Sequence, residues 1–418
     1  MKIVYAYEFN AADPMVQSGR PAAILKQLAA PGMHVVPAFP LRRGVQLLYA
    51  PKVAYYRQRR LVYRPDRQPW YLRSLAAQVR RRVRASQADV VFAPGSHSVA
   101  MLDVPCPVVF CADATFANVL DWYDSFSHCS DEFIAQGHAQ ERAALTRCAA
   151  AIYPSEWAAR SAIDFYGADP ARVHVVPFGA NVATPDSATV HAWIEARQLS
   201  PLRLLFVGRE WVRKGADLVL AAATQLRASG IAVELDLVGV ERPPHPLPDW
   251  VRNHGLLDKR DPAQRARLPE LFARAHFFFV PSQAENYGMV FCEAAAYGLP
   301  SLTTNVGGIP TIVQHGLTGY TLPPDTAPHE WASVLARVVD DPAAYRAMAH
   351  ASHADYRARL NWNSFGTRLH EILEAVTHAN DVHPTSHALA PRRANPTNTR
   401  NRPHPPACRG DPAGPTGC

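Results

Sequence analysis

The sequence predicts an α/β protein built from two doubly wound parallel sheets in tandem, and three observations predict it. Apolar runs of strand length alternate with helical patterns through most of the 418 residues. Some of these runs, such as residues 277–280 (FFFV), are apolar at every position, as expected of strands buried on both faces of a parallel sheet. The series restarts near residue 202, so one chain carries two such units with a crevice between them.

In order, the first unit offers apolar runs at 3–7, 22–28, 35–36, 90–93, 108–111, 149–153 and 173–176. A linker is expected over 177–201, where VVPFGANVATPDS carries turn residues and two prolines. The second unit reads as strand 202–207, helix 216–228, strand 232–238, helix 268–275, strand 277–280, helix 289–297 and strand 301–304. Gly298 and Pro300 supply the stop signal for the helix at 289–297. Residues 362–376 (WNSFGTRLHEILEAV) have an amphipathic helical pattern. Residues 379–418 contain eight prolines, five arginines and no Phe, Tyr or Trp, too little apolar surface to offset chain entropy, and read as a disordered tail. The expected division is therefore 1–180, 181–355, a terminal helix at 356–378 and the tail at 379–418.

Composition bounds the function. At 48% hydrophobic the chain has ample core for two or three domains, which excludes a single small module. Seven cysteines without a C-x-x-C pair point to reduced thiols in a cytoplasmic protein and imply no zinc site. The opening MKIVYAYEF reads as a strand rather than a leader peptide, and no apolar run reaches membrane-spanning length. The net charge of +7 is concentrated between Lys52 and Arg84. There one lysine and ten arginines face a single acid, Asp66, for a local +10 that leaves the rest of the chain at about −3. Tyr55, Tyr56, Tyr63, Trp70 and Tyr71 are interleaved with them. Such a stretch suits an anionic membrane surface, which would place the protein peripherally on the inner face of the membrane, or an anionic acceptor; a solvated helical face is the plain alternative, and nucleic acid is disfavoured.

The most informative segment is PSQAENYGMVFCEAAAYGLP, residues 281–300. Glu285 leaves the carboxyl end of a strand, Gly288 turns the chain, and Glu293 falls near the second turn of the following helix. Ligands of open parallel sheets bind at that end, so two carboxylates there are placed to hold hydroxyl groups. The pair, with seven residues between them, resembles the E-x7-E motif of retaining GT-B fold glycosyltransferases, in particular glycosyltransferase family 4, also called group 1. Residues 304–320 (TNVGGIPTIVQHGLTGY) and 206–215 (FVGREWVRKG) resemble the family's flanking segments in the same order. The resemblance is densest over 150–375.

The resemblance implies a GT-B fold of two Rossmann-like domains with the active site between them, and transfer of a hexose from a nucleotide diphosphate sugar to a glycan, lipid-linked or small-molecule acceptor, in cell-surface polysaccharide or glycolipid synthesis. It assigns Arg209 and Lys214 to the donor diphosphate, in a loop where Gly208 lets the backbone turn and Gly215 opens a helix N-terminus. Arg213 is expected to point away. Glu285 is assigned to donor sugar hydroxyls, Glu293 to the ribose, and Gly307 and Gly308 to a cradle for sugar and phosphate ahead of Pro310. Thr311 stands where many members carry an acid. In the first unit, Gly19 matches a glycine loop near donor phosphate and acceptor, although Ser18 replaces the family's other glycine. Asp113 is expected close to the reacting carbon, and His97 is a weaker candidate for ligand contact. No cofactor is implied, and with no D-x-D motif no metal is required. The absence of G-x-G-x-x-G and of G-x-x-x-x-G-K-[ST] disfavours nicotinamide enzymes and P-loop NTPases. The alternative enzyme of the same fold is a nucleotide-sugar 2-epimerase.

Overall fold

The computed structural model describes residues 1–258 and 261–382. Two six-stranded sheets, parallel throughout, carry the architecture. The first contains β1 (Lys2–Ala6), β2 (His34–Ala38), β3 (Val90–Ala93), β4 (Val108–Cys111), β5 (Ala150–Tyr153) and β6 (Val173–Val175), in the order β2-β1-β3-β4-β5-β6. The second contains β7 (Leu202–Val207), β8 (Val233–Val238), β9 (Val251–Asn253), β10 (Phe277–Phe279), β11 (Ser301–Thr304) and β12 (Gly319–Leu322), in the order β12-β11-β10-β7-β8-β9.

The all-apolar strands are those buried on both faces. In β1, Ile3 and Tyr5 join the core beneath α1 (Arg20–Leu28), while Val4 and Ala6 join the core on the opposite face, and all four are fully buried. In β10, Phe277, Phe278 and Phe279 are likewise buried.

Three expectations need correction, and two strands were not foreseen. Residues 22–28, an apolar run, belong to α1 and not to a strand, because Pro21 at its first turn and inward-facing Ile24 and Leu28 set a helical period. The expected linker contains a helix, Ser187–Ala196, capped by the Asp186 carboxylate accepting from the Thr189 amide. Its Val190 and Ile194 are buried against Gly298 of the second unit, so 187–196 of the expected linker is packed helix. The short strands β9 and β12 have no apolar run to announce them, since Arg252 and Asn253 are exposed. The final helix runs from Trp362 to Val382, so residues 379–382 are helical and not tail; residues 383–418 lie outside the described residues. That helix packs on α1, with His370 against the Gln27 carbonyl at 2.8 Å and Gly366 against the Gln27 side chain.

Candidate active site between the two sheets

In each sheet the strand order reverses at one point, between β1 and β3 in the first and between β7 and β10 in the second. Crossovers on the two sides of a reversal run to opposite faces, so a crevice opens at the carboxyl ends of those strands.

Lys214 and Glu285 come from either side of the second reversal. After β7, Gly208 lets the Lys214 stem lie over the strand end, since a Cβ there would fall 2.8 Å from Lys214 Cγ. The short helix Trp211–Lys214 then stops at left-handed Gly215. Glu285 stands in the loop after β10, and its carboxylate pairs with the Lys214 ammonium, both side chains almost wholly buried. Arg213 does not point away as expected. Its guanidinium donates to Glu210 at 2.6 and 2.8 Å and to the Ala284 carbonyl at 2.7 Å, and it lies 3.8 Å from the Glu285 carboxylate. The one-turn helix leaves Arg213 and Glu210 three residues apart on a common side, and that side faces the crevice.

Gly307 is held against the same loop: it has φ +56°, and a Cβ there would sit 1.8 Å from the Glu285 carbonyl oxygen. The Gly308 amide donates to that carbonyl at 3.4 Å. Glu293 is buried in the helix Met289–Ala296. Arg209 is exposed and lines a depression of about 300 Å³ with Trp211, Gly239, Val240, Glu241, Arg242 and Leu256. Lys214 and Glu285 are thus brought together, while Arg209 stands at the rim.

Asp113, after β4, faces this loop from the first sheet. Its carboxylate lies 3.3 Å from the buried Arg20 guanidinium and accepts from the Asn286 side-chain amide at 3.4 Å. The Asn286 backbone amide donates to the Tyr123 hydroxyl at 3.0 Å, and the Arg213 guanidinium sits 5.2 Å from the Tyr123 ring. Burial, with the Glu285 carboxylate nearby, raises the Tyr123 hydroxyl's pKa and keeps it protonated. Thr311 also reaches across, its hydroxyl accepting from the Glu156 amide at 3.2 Å.

Gly19 caps α1 at φ +83°, following Gln17 and Ser18, which are also left-handed. The Ser18 carbonyl accepts from Asn181 at 2.6 Å. Arg20 begins α1 at 4% exposure; it donates to the Pro94 carbonyl at 3.2 Å and to Gln17, and lies 5.5 Å from the Phe178 ring. His97, after β3, stands 3.6 Å from the Glu8 carboxylate, and burial lowers its pKa. The Tyr7 hydroxyl and His97 Nε2 are buried without a hydrogen-bond partner among the described residues, a condition native proteins seldom leave unused.

Sequence reasoning missed Arg20, Tyr123, Asn286 and the inward turn of Arg213. Arg20 had a signal, a charge directly after Gly19 that opens α1 ahead of the apolar stretch 21–25. Tyr123 and Asn286 had none, because their roles depend on the approach of the other sheet. Among the described residues, no group of three or more His, Cys, Asp or Glu side chains could hold a metal ion.

Comparison with known proteins agrees with the two-sheet fold. A family model described as Glycosyl transferases group 1 matches residues 190–355, and one described as Glycosyltransferase Family 4 matches residues 22–184. A D-inositol 3-phosphate glycosyltransferase of Kineococcus radiotolerans is 36% identical over 211 residues, covering 45% of this chain and 48% of that one. A protein of the same name from Thermobispora bispora is 33% identical over 232 residues, covering 51% and 53%. The chain spans about half the length of these curated relatives. Among solved structures, sucrose-phosphate synthase from Thermosynechococcus elongatus superposes with a TM-score of 0.65 at 19% identity, over 91% of this chain and 100% of that one. Anabaena HepE in complex with UDP and glucose superposes with a TM-score of 0.56 at 17% identity, over 90% and 100%. These two likenesses are likenesses of fold.

Proposed function

Because the chain belongs to the group 1 glycosyltransferases of family 4 and has the GT-B fold, we propose that it transfers a hexose, with retention, from a nucleoside diphosphate sugar to an acceptor held by the first domain. The observation that carries this reading is the Lys214–Glu285 pair at the strand reversal of the second sheet, facing Asp113 on the first. An ammonium and a carboxylate side by side in a shielded crevice suit a donor whose two halves are anionic and polyhydroxylated.

In this proposal Lys214, with only one of its three N–H donors given to Glu285, meets the diphosphate oxygens, and Arg213 and Arg209 add positive field. Glu285 accepts from sugar hydroxyls and Glu293 from the ribose. The Gly307–Gly308 turn carries the backbone close to the sugar. The leaving phosphate oxygen serves as the internal base, so the protein contributes positioning and charge stabilisation, with Asp113 beside the reacting carbon. The acceptor lies on the first-domain side, and the Tyr7 hydroxyl and His97 Nε2 are groups there with hydrogen-bonding capacity to spare. The relatives named D-inositol 3-phosphate glycosyltransferase support a small polyol phosphate as the first acceptor to assay, beside carbohydrate and lipid-linked ones. A cytoplasmic location is part of the proposal; among the described residues no helix is long and apolar enough to cross a membrane.

The test is a thermal-shift titration with UDP, GDP, ADP and their hexose conjugates. Ligand at 100 times its dissociation constant stabilises the fold by about 2.7 kcal/mol, which is readily measured. Glu293→Ala should weaken binding of the bare nucleotide, and Glu285→Ala should spare it while weakening the sugar conjugate. Equal loss of nucleotide affinity in both variants, or no stabilisation by any nucleotide, would overturn the assignment.

A further inference from the structure

The arginine-rich stretch separates into two surfaces once folded. In α2 (Ala50–Gln58) and α3 (Pro69–Ser86) the basic residues meet different neighbours. Along α3, Arg73, Ala77, Arg81 and Arg84 recur at helical spacing and are exposed, opposite buried Leu72, Leu75, Ala76, Val79 and Val83. That is the solvated face of an amphipathic helix. Lys52 is paired with Glu132 at 2.5 Å, Arg64 with Asp66 at 2.6 Å, and Arg67 is buried.

Residues 44–60 and Trp70 are arranged otherwise. Leu47 and Leu48, each 78% exposed, and Trp70, 70% exposed, are the three most exposed large apolar side chains among the described residues, and Tyr55 is 46% exposed. Leu47 and Leu48 lie on the 3-10 turn Gly44–Tyr49, which packs against α2 and α3, and neither that turn nor α2 contains a buried residue. Of the apolar side chains of α2, Val53 and Tyr56 are half-buried, against the small core of Tyr63, Phe116 and Phe133. Arg57, Arg59 and Arg60 follow immediately, exposed and without an ion-pair partner among the described residues; Arg59 lies 4.4 Å from the Tyr55 ring. This excursion joins the carboxyl end of β2 to α3, so it stands on the side of the first sheet where the crevice opens.

Projecting leucines, a tryptophan and a tyrosine at amphipathic depth, and unpaired arginines beside them form the combination that an anionic bilayer surface satisfies. The apolar groups enter the acyl boundary, the rings sit among headgroups, and the guanidinium groups meet lipid phosphates. A polyanion in water would use the arginines and rings but leave Leu47 and Leu48 in solvent. We infer that the turn Gly44–Tyr49, α2 and Trp70 form a peripheral docking surface for anionic membranes. Docking does not depend on the donor chemistry. A further consequence, that the acceptor side of the crevice is held at the lipid surface and suits a lipid-borne acceptor, rests on the glycosyl-transfer reading.

The experiment is flotation of the full chain with phosphatidylglycerol–phosphatidylcholine vesicles and with phosphatidylcholine alone, at low and high salt. Partition should require the anionic lipid and weaken with salt. Arg57→Glu/Arg59→Glu/Arg60→Glu should cut partition by about a hundredfold or more, from the contribution of each basic residue near a lipid surface. Leu47→Ser/Leu48→Ser, which disturbs no packed residue, should cut it by about tenfold or more. Arg80→Glu/Arg81→Glu/Arg82→Glu on α3 should change it little. Donor-induced thermal shifts should be equal in all three variants, so a failed docking proposal is distinguishable from a failed donor site. Absence of partition in the wild type would overturn the inference. So would a Leu47→Ser/Leu48→Ser variant that still binds fully, or RNA retention that depends on the same arginines and ignores the leucines.

Discussion

Replacing Lys214 by alanine separates the electrostatic account of the crevice from a purely structural one. Lys214 and Glu285 form a pair in which neither side chain is more than 13% exposed. Truncating one member of a fully buried pair costs on the order of 3–5 kcal/mol, because the other charge is stranded. Here Glu285 is not stranded, since Arg213 remains 3.8 Å away. At that separation and an effective dielectric near 20, Arg213 still contributes about 4 kcal/mol of attraction. The stability loss should therefore be nearer the value of one charge-assisted hydrogen bond, about 1.5–3 kcal/mol, and the variant should fold. Turnover should suffer more. If the ammonium opposes charge developing on the leaving diphosphate, its removal should lower turnover by about a hundredfold to a thousandfold, as loss of one oxyanion donor does. Arg209→Ala, at the exposed rim, should cost less than Lys214→Ala. The assay is nucleoside diphosphate release from the donor that gives the largest thermal shift, with urea titration for stability. Lys214→Ala turning over within a few-fold of wild type while folded would refute the reasoning, and so would Arg209→Ala being the worse of the two.

Two further predictions concern geometry and pH. Gly307→Ala would place a Cβ 1.8 Å from the Glu285 carbonyl oxygen at φ +56°, so it should cost about 1–3 kcal/mol in urea titration and abolish the sugar-dependent part of the donor thermal shift; a full donor shift would show that the turn does not position Glu285. Glu141 is buried, accepts from Ser96 at 3.0 Å, and burial pushes its pKa up from 4.5 to about 7. Its protonated form favours the fold, so stability should be highest below pH 4.5 for this group and fall by about 3 kcal/mol as pH rises to about 7. Glu141→Gln should flatten that decline in urea titrations between pH 5 and 8; an unchanged slope would assign the decline elsewhere.

How much of the site was legible follows from how local each feature is. The helix from Met289 and the glycines at 307 and 308 were readable because turn, cap and period are written in neighbouring residues. The helix Ser187–Ala196 was not, since the turn residues before it obscured a pattern whose only buried members are Val190 and Ile194, and their partner, Gly298, is far along the chain. The expectation that Arg213 points away was wrong for the same reason, because what draws it inward is the Ala284 carbonyl and the Glu285 carboxylate, 71 residues later for the carbonyl.

By itself the sequence determined the central strands of both sheets, the doubling of the unit, and which loops leave the carboxyl ends of those strands, because these depend on burial period and turn chemistry over a few residues. Only the tertiary structure decided the partners. It joined Lys214 to Glu285 and Arg20 to Asp113, and it brought Asn286 to Tyr123 across the crevice. It also divided one run of arginines into a solvated face on α3 and exposed residues at the end of α2. Charge and apolarity belong to the residue, but what a side chain touches depends on chain segments that pack beside it from elsewhere in the sequence, and no local pattern encodes that.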